Sequence, residues 1–336
     1  MDATLSDRLL DYLRTSLGAA VAYASPPTRL SGGFDTTIMA FSLDGAPPSW
    51  QGGLILRVMA QASLAWRVRR EAATHDALTD AGFAAPRVVC AETDIAPLGL
   101  PFLIMQRLPG DNMWTNAVER GHRRARIMRA PLVLATTQAL MHAVPGSALA
   151  ASVARHGVDP AIFTLEGEVR RLGARIAKDG LSGLGDGAVW LERHRPPPAE
   201  AEVICHGDYH PLNVMMHGER PSGVIDWSQA ILAEPAFDVA ATRVILRFPN
   251  LGEPAWARGP LRLARQWIVR RYTSAYRAAR PFDARNLAYF EAMRVLHALA
   301  VAGVTPPSPR DPWNVPHVLA ALYRHFETIS GVRVRL

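Results

Sequence analysis

Two short segments constrain this chain of 336 residues more than anything else in it: CHGDYHPLNVM at 205–215 and VIDW at 224–227. They set Asp208, Asn213 and Asp226 at successive offsets of five and thirteen, each beside a short apolar run. The runs VIC, NVMM and GVID, with HGERPS as a turn between the last two, read as a short strand followed by a β-hairpin. In that hairpin Asn213 starts one strand, Asp226 ends its partner, and Asp208 lies in the loop beside them. Two oxygen donors of unequal charge near a further carboxylate suit a hard cation such as magnesium, held jointly with phosphate oxygens. The remaining carboxylate, Asp208, can then orient an attacking hydroxyl and accept its proton.

The rest of the chain divides by pattern. Its length exceeds what one hydrophobic core usually fills, so two lobes are expected, 1–108 and 109–336. From 30 to 108 the pattern is strand-like: SGGF as a turn, TTIMAFSL and LILRV as strands, PRVV and PFLIM as two more. Along LILRV, Ile55 and Arg57 share one face while Leu54, Leu56 and Val58 share the other. The single helix of this portion runs over 62–81 and stops at Gly82. Beyond 111 the chain is mainly helical, with APLVLATTQALMHAV as one amphipathic helix and a proline-rich connection at 193–202.

Composition excludes more than it identifies. The formal charge is +7, but the basic residues are arginines with one exception, Lys178, and no aromatic-interleaved basic segment accompanies them, so no nucleic-acid partner is expected. Cys90 and Cys205 are the two cysteines, far apart, which excludes a disulfide framework and a four-cysteine zinc site. The N-terminal segment reads as an amphipathic helix with Leu5, Leu9, Leu13 and Leu17 in register, and not as a signal peptide. With no uncharged apolar run of membrane length, a soluble cytoplasmic protein is expected.

With these residues in view, HGDYHPLNVM and VIDW resemble the catalytic loop and metal-binding strand of the aminoglycoside phosphotransferase family, which is similar to the protein kinases. The first portion extends the likeness: LSGGFDTTIMAFSL resembles the family's phosphate loop, LILR its third strand, RREAATHDAL the helix whose glutamate pairs with that strand, and PFLIMQRLPG the strand entering the interlobe linker. EPAFDVA, at 234–240, resembles the segment after the metal aspartate. The resemblance implies an α+β, bilobal protein-kinase-like fold: a small N-terminal antiparallel sheet lobe with one helix, which binds the nucleotide, and a larger, mainly helical C-terminal lobe, which carries catalysis and the acceptor site. It also implies transfer of the γ-phosphoryl group of ATP, or GTP, to a small-molecule hydroxyl. By the same matching Asp208 is the catalytic aspartate, and Asn213 and Asp226 hold magnesium. Ser31, Gly32 and Gly33 form the phosphate loop, Arg57 reaches the phosphates steadied by Glu71, and Met105, Gln106, Arg107 and Leu108 line the adenine pocket. Kinases carry lysine where Arg57 stands; arginine keeps the charge with a forked geometry.

Three competing readings are open at this stage. Cys205, His206, Asp208 and His210 could form a transition-metal site in a hydrolase, although Pro211 argues against a continuing strand and the set leaves Asn213, Asp226, Arg57 and Glu71 idle. A nucleotide-binding pseudokinase would lack catalytic polar residues, and all are present. A protein kinase would carry arginine where Gly207 stands. Asp238 is expected to anchor the catalytic loop, His206 to hold its shape, and His142 to be packed. From 241 onward fifteen arginines face five acids; most can sit on solvated helix faces, and the balance suits a neutral or anionic acceptor, or an apolar one contacting Trp256, Trp267, Tyr272 or Trp313, better than a polycationic aminoglycoside.

Overall fold

The computed structural model describes residues 3–30, 36–119, 123–306 and 311–336. Ser31, Gly32 and Gly33 therefore lie outside the described residues. The chain forms two compact units, each discontinuous in sequence: Met1–Asn112 with Ser147–Asp159 and Met215–Ser228, and Met113–Gly146 with Pro160–Val214 and Gln229–Leu336. The sequence suggests one boundary, at 108; instead Asp226 is built into the first unit and Asp208 into the second.

In the first unit, helix α1 (Ala3–Leu17) precedes strands β1 (Ala22–Arg29), β2 (Thr36–Asp44) and β3 (Gly53–Met59), followed by helix α2 (Ala65–Asp80), then β4 (Val88–Glu92), β5 (Phe102–Gln106) and the two-residue β6 (Asp111–Asn112). The five-stranded sheet runs β1-β2-β3-β5-β4 with every pairing antiparallel. The expected alternation along β3 holds: Leu54, Leu56 and Val58 are buried, in one cluster with Leu9 and Leu13 of α1. β1 was not legible as a strand, because Pro26 and Pro27 interrupt it and its burial does not alternate. α2 stops before Gly82, whose φ of +78° is the left-handed conformation expected there.

The second unit holds α3 (Met113–Glu119) and α4 (Arg123–Met141). Helix α5 (Gly146–Arg155) lies almost wholly in the first unit; α6 (Leu165–Lys178), α7 (Gly185–Arg193) and strand β7 (Val203–Cys205) return to the second. The hairpin, which but for Val214 belongs to the first unit, forms from β8 (Val214–His217) and β9 (Arg220–Val224), with β6 added to β8. The second strand is thus RPSGV and not GVID, so Asp226 stands two residues beyond the hairpin. β7 pairs instead with β10 (Ile231–Ala233). Helices α8 (Pro235–Arg247), α9 (Arg258–Ala279), α10 (Leu287–Val304) and α11 (Pro316–Ser330) complete the unit.

α10 is long and apolar enough to cross a membrane by length and composition. It serves as a core helix: Phe290, Val295, Leu296 and Leu299 are buried with Leu172 of α6, Leu191 of α7 and Phe326 of α11. The α+β class matches the sequence expectation.

Candidate active site

Strand β3 and helix α2 bring Arg57 and Glu71 together in the first unit. Arg57 lies on the face of β3 away from the leucine core, and its Nη1 donates to Glu71 Oε2 at 3.0 Å and to Asp226 Oδ1 at 3.1 Å. Glu71 is 1% exposed, and burial pushes its carboxyl above the usual value against the opposing charge of Arg57. Asp226 is the one described non-glycine residue with positive φ, +65°. Aspartate tolerates that conformation better than most residues, yet it carries a cost that the surrounding structure must over-determine, and such outliers concentrate at functional sites. Trp227 fixes the segment: it is fully buried, donates from Nε1 to the Val224 carbonyl at 3.0 Å, and meets Phe83 edge-on.

The expected adenine-lining residues continue from β5. Met105 is buried with Met59, Val68 and Leu103. The N–H of Gln106 donates to the Arg87 carbonyl at 2.8 Å, and that of Arg107 to the Gly53 carbonyl at 2.8 Å.

The Asp208 loop is organised from below by Asp238 on α8, which is fully buried. Its two oxygens accept the backbone N–H groups of His206 and Gly207, both at 2.7 Å, and His142 Nε2 donates to it at 3.1 Å. A carboxylate can only accept, so His142 carries its proton on Nε2 and can accept from the Tyr276 hydroxyl on Nδ1, at 2.6 Å. Burial would raise the Asp238 carboxyl, and these hydrogen bonds outweigh it, holding it below the usual range. Gly207 has φ +80°, and a side chain there would meet the Gln229 carbonyl at 2.5 Å, so glycine is required. Tyr209 is pinned through its hydroxyl to the Leu134 carbonyl, and its own carbonyl accepts from Thr242.

On this platform Asn213 Nδ2 donates to the Asp208 carbonyl at 2.9 Å. His210 Nε2 lies 3.5 Å from Asp208 Oδ2. Arg294, on α10, donates from Nη2 to Asp208 Oδ1 at 2.7 Å. Burial would raise the Asp208 carboxyl, but the Arg294 charge and then His210 hold it far below the ordinary carboxylate range. The sequence reading missed Arg294: it stands 86 positions downstream among similar arginines, and its only signal was the regional excess of positive charge.

Asp238 and His206 take the expected supporting places, but His142 is more than a packed residue, since it belongs to the Asp238 network. The hydrolase reading fails on Cys205. Its thiol is fully buried against the carbonyls of Ala233 and Glu234, and it groups with His142 and Asp238 and not with Asp208 or His210. Among the described residues the one cluster of three potential metal ligands is His142, Cys205 and Asp238, whose His and Asp are already committed to each other.

The antiparallel sheet of the first unit and the helices of the second are those of a kinase-like fold. Residues 28–282 match the model of the phosphotransferase enzyme family, and the chain belongs to that family. Acyl-CoA dehydrogenase family member 11 of Gallus gallus is 27% identical over 181 residues, 52% of this chain and 22% of that protein. The chain spans about a fifth or less of the length of the curated relatives it matches. Among solved structures, a Ralstonia eutropha protein classed with the aminoglycoside phosphotransferases is 17% identical, over 96% of this chain and 95% of that one, with a TM-score of 0.61. The GDP complex of an aminoglycoside 2'-phosphotransferase IIIa mutant is 14% identical, over 97% of each chain, with a TM-score of 0.56. At these identities the likeness shows the fold, and it bears out the resemblance read from the two motifs.

Proposed function

We propose that the chain transfers the γ-phosphoryl group of ATP to a hydroxyl of a small molecule, with Asp208 orienting that hydroxyl and accepting its proton. The observation that carries this reading is the Asp208 loop. Its backbone is fixed by a buried carboxylate, its amide Asn213 is tied to the Asp208 carbonyl, and Asp208 itself remains ionised. Such rigidity is what a reaction dominated by alignment and charge neutralisation requires of a protein.

Each of the two expected donors has the chemistry that magnesium prefers. Asp226 offers a carboxylate on a side chain that is 41% exposed, and Asn213 spends its amide nitrogen inside the loop, leaving the amide oxygen as a neutral hard donor. When bound, the ion would neutralise phosphate charge. Arg57 would share that task from β3, with Glu71 holding its guanidinium. Because Gln106 and Arg107 have spent their N–H groups, Leu108 is the residue of this segment that we assign to the adenine edge. The neighbour solved with GDP supports including GTP beside ATP as a donor.

The test is ADP formation by wild type and Asp208→Asn with magnesium, ATP and a panel of hydroxylated small molecules. Turnover should fall by about 10²- to 10⁴-fold with ATP affinity unchanged. Equal turnover, or loss of ATP binding in the variant, would remove Asp208 from the assigned role.

A further inference from the structure

Every acid downstream of residue 241 is already engaged. Glu253 meets Arg265, Asp283 meets Arg285, Glu291 is shared by Arg243 and His325, and Glu327 meets Arg333. Asp311 accepts the backbone N–H groups of Trp313 and Asn314. No acid of this segment is left to receive a cationic acceptor, and Asp208 is itself met by Arg294.

Arg294 is the distinctive group. Its side chain is 10% exposed, and its Nη2 holds Asp208 Oδ1 at 2.7 Å. Nη1 lies 3.2 Å from His297 Nδ1, and the guanidinium stands 6.0 Å from the Trp313 ring centroid. Burial, and then the charge of Arg294, hold His297 down to about 4, so at neutral pH it is an uncharged acceptor for Arg294. The Nε of Arg294 is buried without a hydrogen-bond partner. A guanidinium with five donors is thus held beside the reacting carboxylate by one anionic oxygen and one neutral ring, with donor capacity left over.

We infer that Arg294 is a specificity-determining residue that recognises an oxyanion on the acceptor, a carboxylate or a phosphate close to the hydroxyl that is phosphorylated. This rests on the reading of Asp208 as the orienting carboxylate. A hydroxyl held by the second oxygen of Asp208 stands about 5 Å from the guanidinium, two hydrogen bonds and one carboxylate away. A substituent on the next carbon or two therefore meets a fixed positive charge in a partly desolvated place, where attraction and repulsion exceed their values in water. An anion gains from Arg294, a neutral polyol gains little, and an ammonium is opposed by it. If Arg294 served only to hold Asp208, replacing it would slow all acceptors alike. Recognition instead changes their ranking.

The experiment compares matched probes on the full chain with magnesium and ATP: glycerol, glycerate, glycerol 3-phosphate and 3-amino-1,2-propanediol, then glucose, gluconate, glucose 6-phosphate and glucosamine. Binding is read by calorimetry and turnover by ADP release, for wild type, Arg294→Gln and Arg294→Lys. In wild type at least one anionic member of a set should bind at least about tenfold tighter than its neutral counterpart, and the amine weakest. Arg294→Gln should level the order and Arg294→Lys keep part of it. The carboxylate and phosphate arms identify which oxyanion fits. The same order in wild type and Arg294→Gln, tighter binding of neutral or cationic members, or no binding by any probe at tens of millimolar overturns the inference. Thermal unfolding checks that each variant is folded, and the Lys variant carries the comparison if Gln is not. The underlying reading fails separately, if Asp208→Asn forms ADP as fast as wild type whatever the probe ranking.

Discussion

One nitrogen of Arg57, Nη1, stands 3.1 Å from Asp226 Oδ1 while also holding Glu71 Oε2 at 3.0 Å. The guanidinium thus supplies the counter-charge for a carboxylate that is almost wholly buried. Arg57→Met should cost about 3 kcal/mol in urea denaturation, because it leaves Glu71 buried beside Asp226 without that charge. Arg57→Lys should recover part of the loss, and Glu71→Gln together with Arg57→Met should be milder than Arg57→Met alone. A double variant as unstable as the single one would show that the ion pair is not the source of the cost.

Asp238 is the second point of leverage. Replacing it by alanine strips three donors, the N–H groups of His206 and Gly207 and the His142 ring, of their buried acceptor. A loss of about 3 kcal/mol is expected. Hydrogen exchange should show faster exchange at the amides of 206 and 207 in the variant; unchanged protection there would contradict the assigned anchor.

Gly110 and Gly52 separate conformational strain from collision. Both have left-handed φ, +91° and +88°, but a side chain at Gly110 would stand 1.9 Å from the Met216 carbonyl oxygen, whereas at Gly52 nothing lies within 4 Å. Gly52→Ala should cost about 1–2 kcal/mol, the price of the backbone conformation alone. Gly110→Ala should exceed it, at about 3 kcal/mol or more, since backbone must move. Equal midpoints in urea would refute the close approach.

His297 gives a pH signature. Its value falls from 6.5 to about 4 on folding, so the unfolded chain takes up the proton first as the solution is acidified. Its contribution to stability is fully present above pH 6.5 and is lost as pH falls toward 4. His297→Gln should therefore show a shallower fall in stability than wild type across that window. Identical slopes would contradict a neutral, partly buried His297. Asp208, Asp238 and Glu291, held below their ordinary values of 3.8, 3.8 and 4.5, lose their contributions at lower pH still.

The parts of this site that sequence made legible are those governed by local periodicity. The face of Arg57 follows from strand alternation and the loop residues from their spacing, whereas Glu71 came from the resemblance of its helix to that of the family. What escaped depended on tertiary pairing. β10 could not be assigned as the partner of β7 from three apolar residues, and Asp226 looked like the end of a strand when the backbone has already left the sheet in a left-handed turn. Arg294 was one of fifteen similar side chains until α10 packed behind the loop. His142 looked like an ordinary core residue because nothing local indicates that Asp238, 96 positions away, uses it.

The proposed magnesium-dependent nucleotide site depends on Asp226. Its most direct test is thermal unfolding of wild type and Asp226→Ala with ATP or GTP, each with and without magnesium. Binding to the folded state raises the midpoint, so wild type should rise by several degrees with millimolar nucleotide only when magnesium is present, and the variant should not. A well-folded wild type that does not shift with either nucleotide, or a variant that shifts as much as wild type, would contradict the account.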